Sequence, residues 1–413
     1  MSVEREDGRK ALVPLRANRD YVVLRGGQFA SQLGREMSFL AYPLLVLGLT
    51  RSPLAAGLVG TVRMGASYAG GAVGGPLVDR FDRRRLLIAC EAGRAGALVL
   101  LGIAVLTGRE DLGLILAVAG VGGALGALVG PGSSALVAQV VRPDQLDAAV
   151  AHNEAGAGMA GLVGPGVGGL LFGFGQAIPF LANAITYLCS VAGLVSLRAR
   201  VPRPEEREPV DSWHQEALAG LRWITARRQV LVFLAVVSVL NLTTMGLDVL
   251  VLLRAREGGA SSFEVGIAIA LGGGGAVIGS LTAPWVIRRL GRAMAALLGL
   301  WTLVALVPLL GVVSGFVGLG LLFGGCAIAV LPVNVVVGAW LLRVVPDELR
   351  GRVLTAVSLV ATGLGALGPA LAAGLLVAVG RLSGLLLDLP LLVAVAAVTI
   401  APSLRAVLGG GDR

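Results

Sequence analysis

Apolar runs of about 20 residues, each nearly free of charge, recur along the whole chain and limit its fold more than any other feature. The hydrocarbon core of a bilayer is about 30 Å thick, so an α-helix needs about 20 apolar residues to cross it. The chain has 56% hydrophobic and only 14% charged residues in 413 positions, which leaves too few polar side chains to cover a water-soluble protein. We therefore predict an all-α polytopic membrane protein. The predicted spans are 21–49, 53–78, 86–107, 112–139, 147–175, 178–197, 229–253, 262–287, 293–313, 315–342, 353–380 and 384–404.

A polar stretch at 198–228 divides these twelve spans into two groups of six. It carries acidic and basic residues beside Pro202, Pro204 and Pro209. Its second part, 213–224, places apolar residues at helical spacing, which is typical of an amphipathic helix on the membrane surface or of a solvated linker helix. The domains predicted are an N-terminal tail at 1–20, a bundle at 21–197, a cytoplasmic linker at 198–228, a second bundle at 229–404 and a C-terminal tail at 405–413.

The arginines indicate how the chain is oriented. When both termini are placed in the cytoplasm, most of the 34 Lys and Arg residues fall in the tails and in the loops on the same side. This positive-inside bias predicts a multi-pass protein of the cytoplasmic (inner) membrane with both termini cytoplasmic. It also accounts for the formal net charge of +9 without a nucleic-acid partner. The arginines expected on the opposite side are Arg51, Arg109, Arg254, Arg256 and Arg381.

The sequence carries no pattern for a metal, a cofactor or a catalytic centre. Cys90, Cys189 and Cys326 lie far apart in apolar segments, and the two histidines are His152 and His214. Neither a disulfide framework, a metal site nor a cluster of nucleophile and base is indicated. No Walker sequence accompanies the helices, so ATP is not expected to drive this chain. We expect no cofactor and no enzymatic activity.

A short pattern occurs once in each half. The segment Val141–Leu146 is followed by Gly164 and Pro165, and the similar segment Val345–Leu349 is followed by Gly368 and Pro369. Many secondary transporters consist of repeated halves and bind substrate between them near the membrane midplane. The repeat therefore favours a transporter.

Three segments resemble motifs of the major facilitator superfamily. Gly75–Arg85 reads G-P-L-V-D-R-F-D-R-R-R and resembles the superfamily's loop motif G-x-L-x-D-R-x-G-R-R, with Asp82 where glycine is usual. Gly164–Gly169 matches the G-P-x-x-G-G core of its antiporter motif, and Gly351 with Arg352 resembles the loop motif of the second half. The resemblance covers nearly the whole chain. The D-R-x-D-R-R-R form is similar to the macrolide- and enterobactin-exporter branch, which contains drug:proton antiporters.

This resemblance implies a major facilitator fold of two pseudo-symmetric six-helix bundles and assigns roles to two groups of residues. In the loop, Asp79 is expected to accept hydrogen bonds at the start of the third helix and to pair with Arg83 or Arg84, holding the loop in one conformation. Alternatively, each arginine only sets the topology. In helix five, the glycines are expected to form a rocking interface or simply to pack closely. The residues concerned are Gly75, Asp79, Arg80, Arg83 and Arg84 in the loop and Gly164, Pro165, Gly168 and Gly169 in the helix.

Polar and charged residues within the predicted spans are candidates for proton coupling and the substrate cavity, because ionisable groups are costly in lipid. Glu36 is the first choice, because it lies near the midplane, where burial disfavours its charged form and a nearby arginine favours it. The adjacent Arg35 is expected on a different helix face, and the alternative for Glu36 is a permanent ion pair with Arg63 or Arg94. The full set is Glu36, Arg35, Asp248, Asn241, Arg63, Glu91 and Arg94.

Two further alternatives concern the other acids of this set. Asp248 lies further along its helix, where it either lines the cavity with Asn241 or serves as an outer gate or a helix-end charge. Glu91 and Arg94 are three positions apart and are expected to form a local pair.

Together these features predict a monomeric secondary active transporter in the lipid bilayer. It is expected to export a small amphipathic molecule, such as a drug, siderophore or secondary metabolite, by proton antiport with alternating access, as in multidrug resistance. The alternative is an importer or facilitator of the same superfamily. A membrane enzyme or receptor on the same fold comes last, because the sequence shows no catalytic cluster.

Overall fold

The computed structural model describes residues 14–198, 222–346 and 349–400, without the side chains of 72–80 and 350–352. Nearly all of these residues are helical. Within these ranges, thirteen α-helices form twelve membrane-length segments. They are α1 (Arg19–Thr50), α2 (Pro53–Arg80), α3 (Arg83–Leu106), α4 (Leu112–Val140), α5 (Leu146–Phe174), α6 (Ile178–Ser196), α7 (Arg228–Glu257), α8 (Ser262–Leu290), α9 (Arg292–Leu310), α10 (Phe316–Val344), α11 (Arg350–Gly365), α12 (Gly368–Val379) and α13 (Ser383–Ile400).

Short polar caps set where several helices begin. The Asp111 side chain accepts a hydrogen bond from the Leu114 amide at 2.9 Å at the start of α4. Ser261 and Glu264 cap each other's backbone at the start of α8. Each cap satisfies amides that the first turn of a helix leaves without an intrahelical acceptor. Apart from 197–227 between α6 and α7, only a few residues connect one span with the next, so spans that follow each other in the chain run antiparallel.

The long apolar helices are those of a multi-pass membrane protein. Within the described ranges, nine segments are long and apolar enough to cross a membrane, and one of these, Val353–Ile400, contains α11, α12 and α13. The helices α1 and α2 are not among the nine; α1 carries Arg25, Arg35 and Glu36 along its length. The helices form an all-α fold of two six-helix bundles, α1–α6 and α7–α13, in which α11 and α12 together form one span.

The eleventh span consists of two helices, although the sequence predicts one. The sequence predicts one helix over 353–380, whereas the structure has α11 and α12 separated at Ala366 and Leu367. Pro369 lies in the first turn of α12, because proline lacks the amide that a continuous helix would need there. At this break Gly368 packs against α7: a Cβ added to Gly368 would lie 2.8 Å from the amide nitrogen of Gly246.

Part of the predicted linker cannot be compared with the structure. Of the possible amphipathic helix at 213–224, only Arg222, Trp223 and Ile224 are among the described residues. These three lie in a short helical turn just before α7. The surface helix predicted there otherwise lies outside the described residues.

The two bundles touch mainly near one end. We call the end that carries the α1–α2 connection the α1–α2 end, and the opposite one the α2–α3 end. On one side α5 packs on α8: a Cβ on Gly266 would lie 2.5 Å from the Pro165 carbonyl oxygen. On the other side α2 meets α12, where the Ala370 amide donates to Thr61 Oγ1 at 3.2 Å. These contacts lie in the halves of the helices nearer the α1–α2 end, and glycine permits the close approach.

Candidate functional site

A cavity of about 550 Å³ lies between the two bundles. Nine helices contribute to its wall, and much of that wall is aromatic or built of glycine. Five of the seven candidates predicted from the sequence line it together, although they come from four different helices. These are Arg35 and Glu36 on α1, Arg63 on α2, Arg94 on α3 and Asp248 on α7.

Arg35 and Glu36 form an ion pair on the cavity wall. Arg35 Nη2 lies 3.0 Å and Nε 3.1 Å from Glu36 Oε1. Their side chains are 49% and 23% exposed. Consecutive helix positions point about 100° apart, so the sequence predicts different faces, but the arginine side chain is long enough to reach its neighbour. The partner of Glu36 is therefore Arg35, not Arg63 or Arg94.

Glu91 and Arg94 form the predicted local pair, and it is almost fully buried. Arg94 Nη1 lies 3.3 Å from Glu91 Oε2, with side chains 5% and 1% exposed. The second oxygen of Glu91 accepts a hydrogen bond from Ser31 at 2.9 Å. Arg94 donates to the Tyr187 hydroxyl, and its guanidinium carbon lies 3.9 Å from the centre of the Tyr187 ring. Tyr187 and Ser31 thus bind this pair to α6 and α1, which is typical of a structural anchor.

Arg63 and Asp248 face the cavity from opposite bundles. The guanidinium carbon of Arg63 lies 4.5 Å from the ring centre of Phe39, and no described carboxylate lies within ion-pair distance of it. Asp248 is half-buried, and the charges that act on it are those of Glu36 and Arg63. Asp248 therefore lines the central cavity, which is one of the two positions expected for it.

Arg63 and Asp248 also border a second, much smaller space. This void of about 20 Å³ is large enough for about one water molecule. Its wall includes Val59 and Pro369, from the zone where α2 meets α12. Asp248 therefore lies between the cavity and the α1–α2 end, where the two bundles touch.

Asn241 lies away from the cavity, contrary to the expectation that it lines the cavity with Asp248. Its amide nitrogen donates to the Ala361 carbonyl oxygen at 3.2 Å, and it packs against Gly365. Asn241 and Asp248 are seven positions apart, but Asn241 faces α11. It satisfies a backbone carbonyl next to the break between α11 and α12.

The antiporter-like segment of α5 packs between α1 and α8. A Cβ on Gly168 would lie 2.5 Å from the Met37 carbonyl oxygen, and one on Gly169 would lie 3.0 Å from the Ser262 carbonyl carbon. Gly164 lies against the Glu36 side chain. This segment therefore connects the bundle interface with the acid on α1.

The loop motif lies at the end of α2 and the start of α3. Asp82, the residue in the usual glycine position, caps α3 by accepting a hydrogen bond from the Arg85 amide at 2.9 Å. Arg84 donates to the carbonyl oxygens of Leu194 and Val195 at 2.7 and 2.6 Å. These carbonyls belong to the last turn of α6, where a helix lacks its full set of intrahelical donors; the Leu194 oxygen also accepts from the Leu197 amide at 3.5 Å. Arg84 thus joins the start of α3 to the end of α6.

For the remaining residues of the loop motif, the structure describes fewer contacts. Arg83 Nε is buried without a hydrogen-bond partner among the described residues. Gly75, Asp79 and Arg80 belong to the last turns of α2, and their side chains lie outside the described part of the structure. The predicted pairing of Asp79 with an arginine therefore stays a prediction.

Several polar side chains at or near the candidate site were not found from the sequence. Tyr187, Ser31 and Asn183 are ordinary residues in apolar spans, and only the fold brings them to charged or polar partners; Asn183 Nδ2 donates to Ser38 Oγ at 2.7 Å. Asp388 on α13 is 2% exposed, and its Oδ1 has no described partner. Asp388 could have been found from the sequence, because it is an acidic residue inside the apolar run at 384–404. No cluster of metal-ligating side chains occurs in the described ranges.

Comparisons with known proteins agree on the fold. A family model described as Major Facilitator Superfamily matches residues 26–369. The nucleoside transporter NupG, as a mutant, is 14% identical with a TM-score of 0.77, covering 93% of this chain and 99% of its own. The peptide transporter POT, as a mutant, is 15% identical with a TM-score of 0.74, covering 94% and 95%. An inward-facing bacterial homologue of the human lysosomal transporter Spinster is 16% identical with a TM-score of 0.69, covering 96% and 92%.

Proposed function

Because the chain belongs to the Major Facilitator Superfamily, a family of transporters, we propose that it exports a small amphipathic molecule by proton antiport. The observation that carries this proposal is the cavity between the bundles, where two acids, Glu36 and Asp248, and Arg63 face each other across the bundle interface. A transported molecule in this cavity contacts both bundles at once. Its binding can therefore change how the bundles pack.

Alternating access is supported by the kind of contact that closes the α1–α2 end. Glycines bring backbones together without interlocking side chains: a Cβ on Gly266 would lie 2.5 Å from the Pro165 carbonyl oxygen, and one on Gly57 would lie 2.5 Å from that of Pro369. Such smooth surfaces suit rigid-body rocking of one bundle on the other. In this conformation the close contacts lie on the α1–α2 side of the cavity.

The cavity wall supports an amphipathic substrate. Its volume of about 550 Å³ is within the roughly 300–1,000 Å³ of sites for drug-sized molecules. The aromatic rings of Phe39, Tyr68 and Phe323 and the apolar surface of Met64 provide contact for a hydrophobic body, whereas the charged residues orient a polar group. This combination fits a drug, a siderophore or a secondary metabolite.

Proton coupling is supported by the different situations of the two acids. Glu36 is paired with Arg35, but the pair borders the cavity and is partly exposed, so it can separate when solvent or substrate enters. Asp248 has no ion-pair partner among the described residues and lies beside the closed zone. A proton on either acid removes a charge from the interface and changes the balance between the two access states.

The orientation proposed from the arginines places both termini and the α2–α3 end in the cytoplasm of a cell with an inner membrane. The cavity described above then belongs to an inward-facing state of a monomer. Single cysteines introduced at Gly108, between α3 and α4, and at Arg142, between α4 and α5, test this orientation in a cysteine-free background. A membrane-impermeant thiol reagent added to whole cells is expected to label position 108 and not 142; the reverse pattern contradicts the orientation.

The function is tested by efflux from energised cells. Cells with and without the protein are loaded with a panel of hydrophobic cations, macrolides and siderophores, and loss of each compound is followed with and without a protonophore. We expect faster efflux of at least one class and its loss with the protonophore. Faster accumulation instead favours an importer, efflux that survives the protonophore contradicts proton antiport, and no effect on any compound contradicts this substrate range.

A further inference from the structure

A second cavity, about as large as the first, lies between the first halves of α1 and α5. Its volume is about 510 Å³. The Tyr21 hydroxyl, 3.3 Å from His152 Nδ1, joins the two helices beside it. We call this cavity the α1–α5 groove. It lies toward the α2–α3 end and shares no lining residue with the central cavity.

The charge of the groove is positive. Arg16 and Arg25 belong to its lining, which includes no carboxylate. Both arginines are exposed, and neither takes part in an ion pair among the described residues. The central cavity differs, because it has acids and arginines together. The groove therefore attracts negative charge.

Apolar side chains form much of the remaining lining, and the groove has open space between them. Val22 and Met159 are 47% and 59% exposed, and Phe29 also lines the groove. A Cβ added to Gly26 would have no atom within 4 Å. Asn153 also lines the groove, and its buried Oδ1 accepts no hydrogen bond from any described residue. An unsatisfied buried acceptor is costly, so a donor from a ligand stabilises it.

We propose that the α1–α5 groove binds an amphiphile with an anionic head group and an apolar chain. Arg16 and Arg25 contact the anion, and Val22, Phe29 and Met159 contact the chain. Asn153 accepts a hydrogen bond from a hydroxyl or amide of the ligand. The same chemistry has two sources: an anionic lipid of the surrounding membrane, or an anionic molecule on its way to the central cavity.

The route between the two cavities follows α1. Gln28 and Gln32 line the groove, and Arg35 lines the central cavity. Their spacing of four and three positions puts them on one face of the helix. A bound anion therefore has a continuous row of hydrogen-bond donors leading from the groove toward Arg35.

Binding is tested on the purified full chain in detergent with a fluorescent lysophosphatidate, a single acyl chain with a phosphate head. A lysophosphatidylcholine with the same chain is the neutral comparison. We expect saturable binding of the lysophosphatidate, and binding on the order of tenfold weaker for the neutral probe, equivalent to about 1.4 kcal/mol. Equal affinity for both probes, or no saturable binding, overturns the proposal.

Two groove variants and two controls show where the probe binds. The double variant Arg16→Gln/Arg25→Gln removes the charge, and Gly26→Leu fills the open space without a backbone clash. The matched controls are Arg288→Gln/Arg289→Gln, which removes two exposed arginines from the end of α8, and Gly96→Leu on α3, which also has no atom within 4 Å. We expect at least about tenfold weaker binding in both groove variants and wild-type binding in both controls. Wild-type binding in the groove variants overturns the proposal.

The source is identified in nanodiscs and proteoliposomes. If membrane lipid is the occupant, replacing phosphatidylcholine by phosphatidylglycerol displaces the probe. If a transported anion is the occupant, the probe moves across proteoliposomes with wild-type protein and not with Gly26→Leu. Displacement of the probe or its transport supports the groove as a site for this chemistry. If the probe is neither displaced nor transported, and Gly26→Leu binds it like the wild type, the proposal is contradicted. The binding assay needs no transport, so it stands apart from the efflux test of the proposed function.

Discussion

Gly164 of α5 lies directly against the side chain of Glu36 on α1. A Cβ added to Gly164 would approach the Cγ of Glu36 to 3.4 Å and would collide with its Cβ. In the same segment, the carbonyl of Pro165 contacts Gly266 across the bundle interface. One short stretch of α5 thus touches the partly exposed acid and the opposite bundle. We therefore expect a movement of α5 against α8 to reach Glu36.

We expect Gly164→Ala to insert normally but to transport at least several-fold more slowly. The added methyl group overpacks the contact with Glu36, at a cost of about 1–3 kcal/mol, and a cost of that size that differs between conformations changes their ratio by about 5–150-fold. The matched control is Gly166→Ala, since Gly166 has no atom within 4 Å of an added Cβ. Initial efflux rates at equal expression are the measurement. Equal losses in both variants contradict a specific role for the Gly164 contact.

We expect Glu36→Gln to separate exchange from coupling. Glutamine keeps the size of the side chain but cannot release a proton, so the transporter can still bind and exchange substrate. In proteoliposomes, counterflow is expected to survive and uptake driven by a pH gradient to fail. Survival of both activities makes Glu36 a bystander, and loss of both indicates that it anchors the fold or the substrate.

Asp248→Asn is measured in the same two assays, because Asp248 is the second acid in the cavity. If Glu36 carries the proton, we expect Asp248→Asn to weaken substrate binding while some gradient-driven uptake remains. Loss of gradient-driven uptake in Asp248→Asn alone, with Glu36→Gln unaffected, contradicts the choice of Glu36 and assigns coupling to Asp248.

We expect Asp79→Asn to leave the protein folded and to slow transport severely, because the motif indicates a role in holding the loop in one conformation. Asp82→Asn is the matched control: it removes a charge three positions later, but asparagine caps a helix about as well as aspartate, so α3 keeps its start. Transport rates and detergent elution profiles of both variants are compared. Wild-type transport by Asp79→Asn contradicts the predicted role.

The buried pair Glu91–Arg94 is expected to matter for stability more than for coupling. Arg94→Met leaves Glu91 charged and unpaired at 1% exposure, and breaking a buried pair in this way costs about 3–5 kcal/mol. Arg254→Gln breaks the pair of Arg254 and Glu257, whose side chains are 11% and 47% exposed, and is expected to cost less because the carboxylate left behind is in contact with solvent. Thermal unfolding in detergent is the measurement. The double variant Glu91→Leu/Arg94→Met should recover most of the lost stability; no recovery contradicts the role of the unpaired charge.

The sequence alone was sufficient for the fold class. Apolar length decides which segments span a membrane, because a bilayer core has one thickness and every backbone amide within it must be paired inside the helix. Apolar length gives the span at 353–380 but not its interruption at 366–367, where the backbone breaks before Pro369. A proline is visible in the sequence, but whether it bends a helix or divides it depends on what packs around it.

The candidate residues were found from the high free-energy cost of placing a charge in lipid, whereas the fold decides which partners they have. Glu36, Arg63, Arg94 and Asp248 are conspicuous because charge is expensive in lipid, and this property belongs to each residue by itself. Which charges meet depends on helix rotation and on distances between helices that are remote in the chain. The sequence therefore determined that these charges lie within the membrane span, whereas only the tertiary structure decided that Tyr187 binds Arg94 and that Asp248 faces the central cavity.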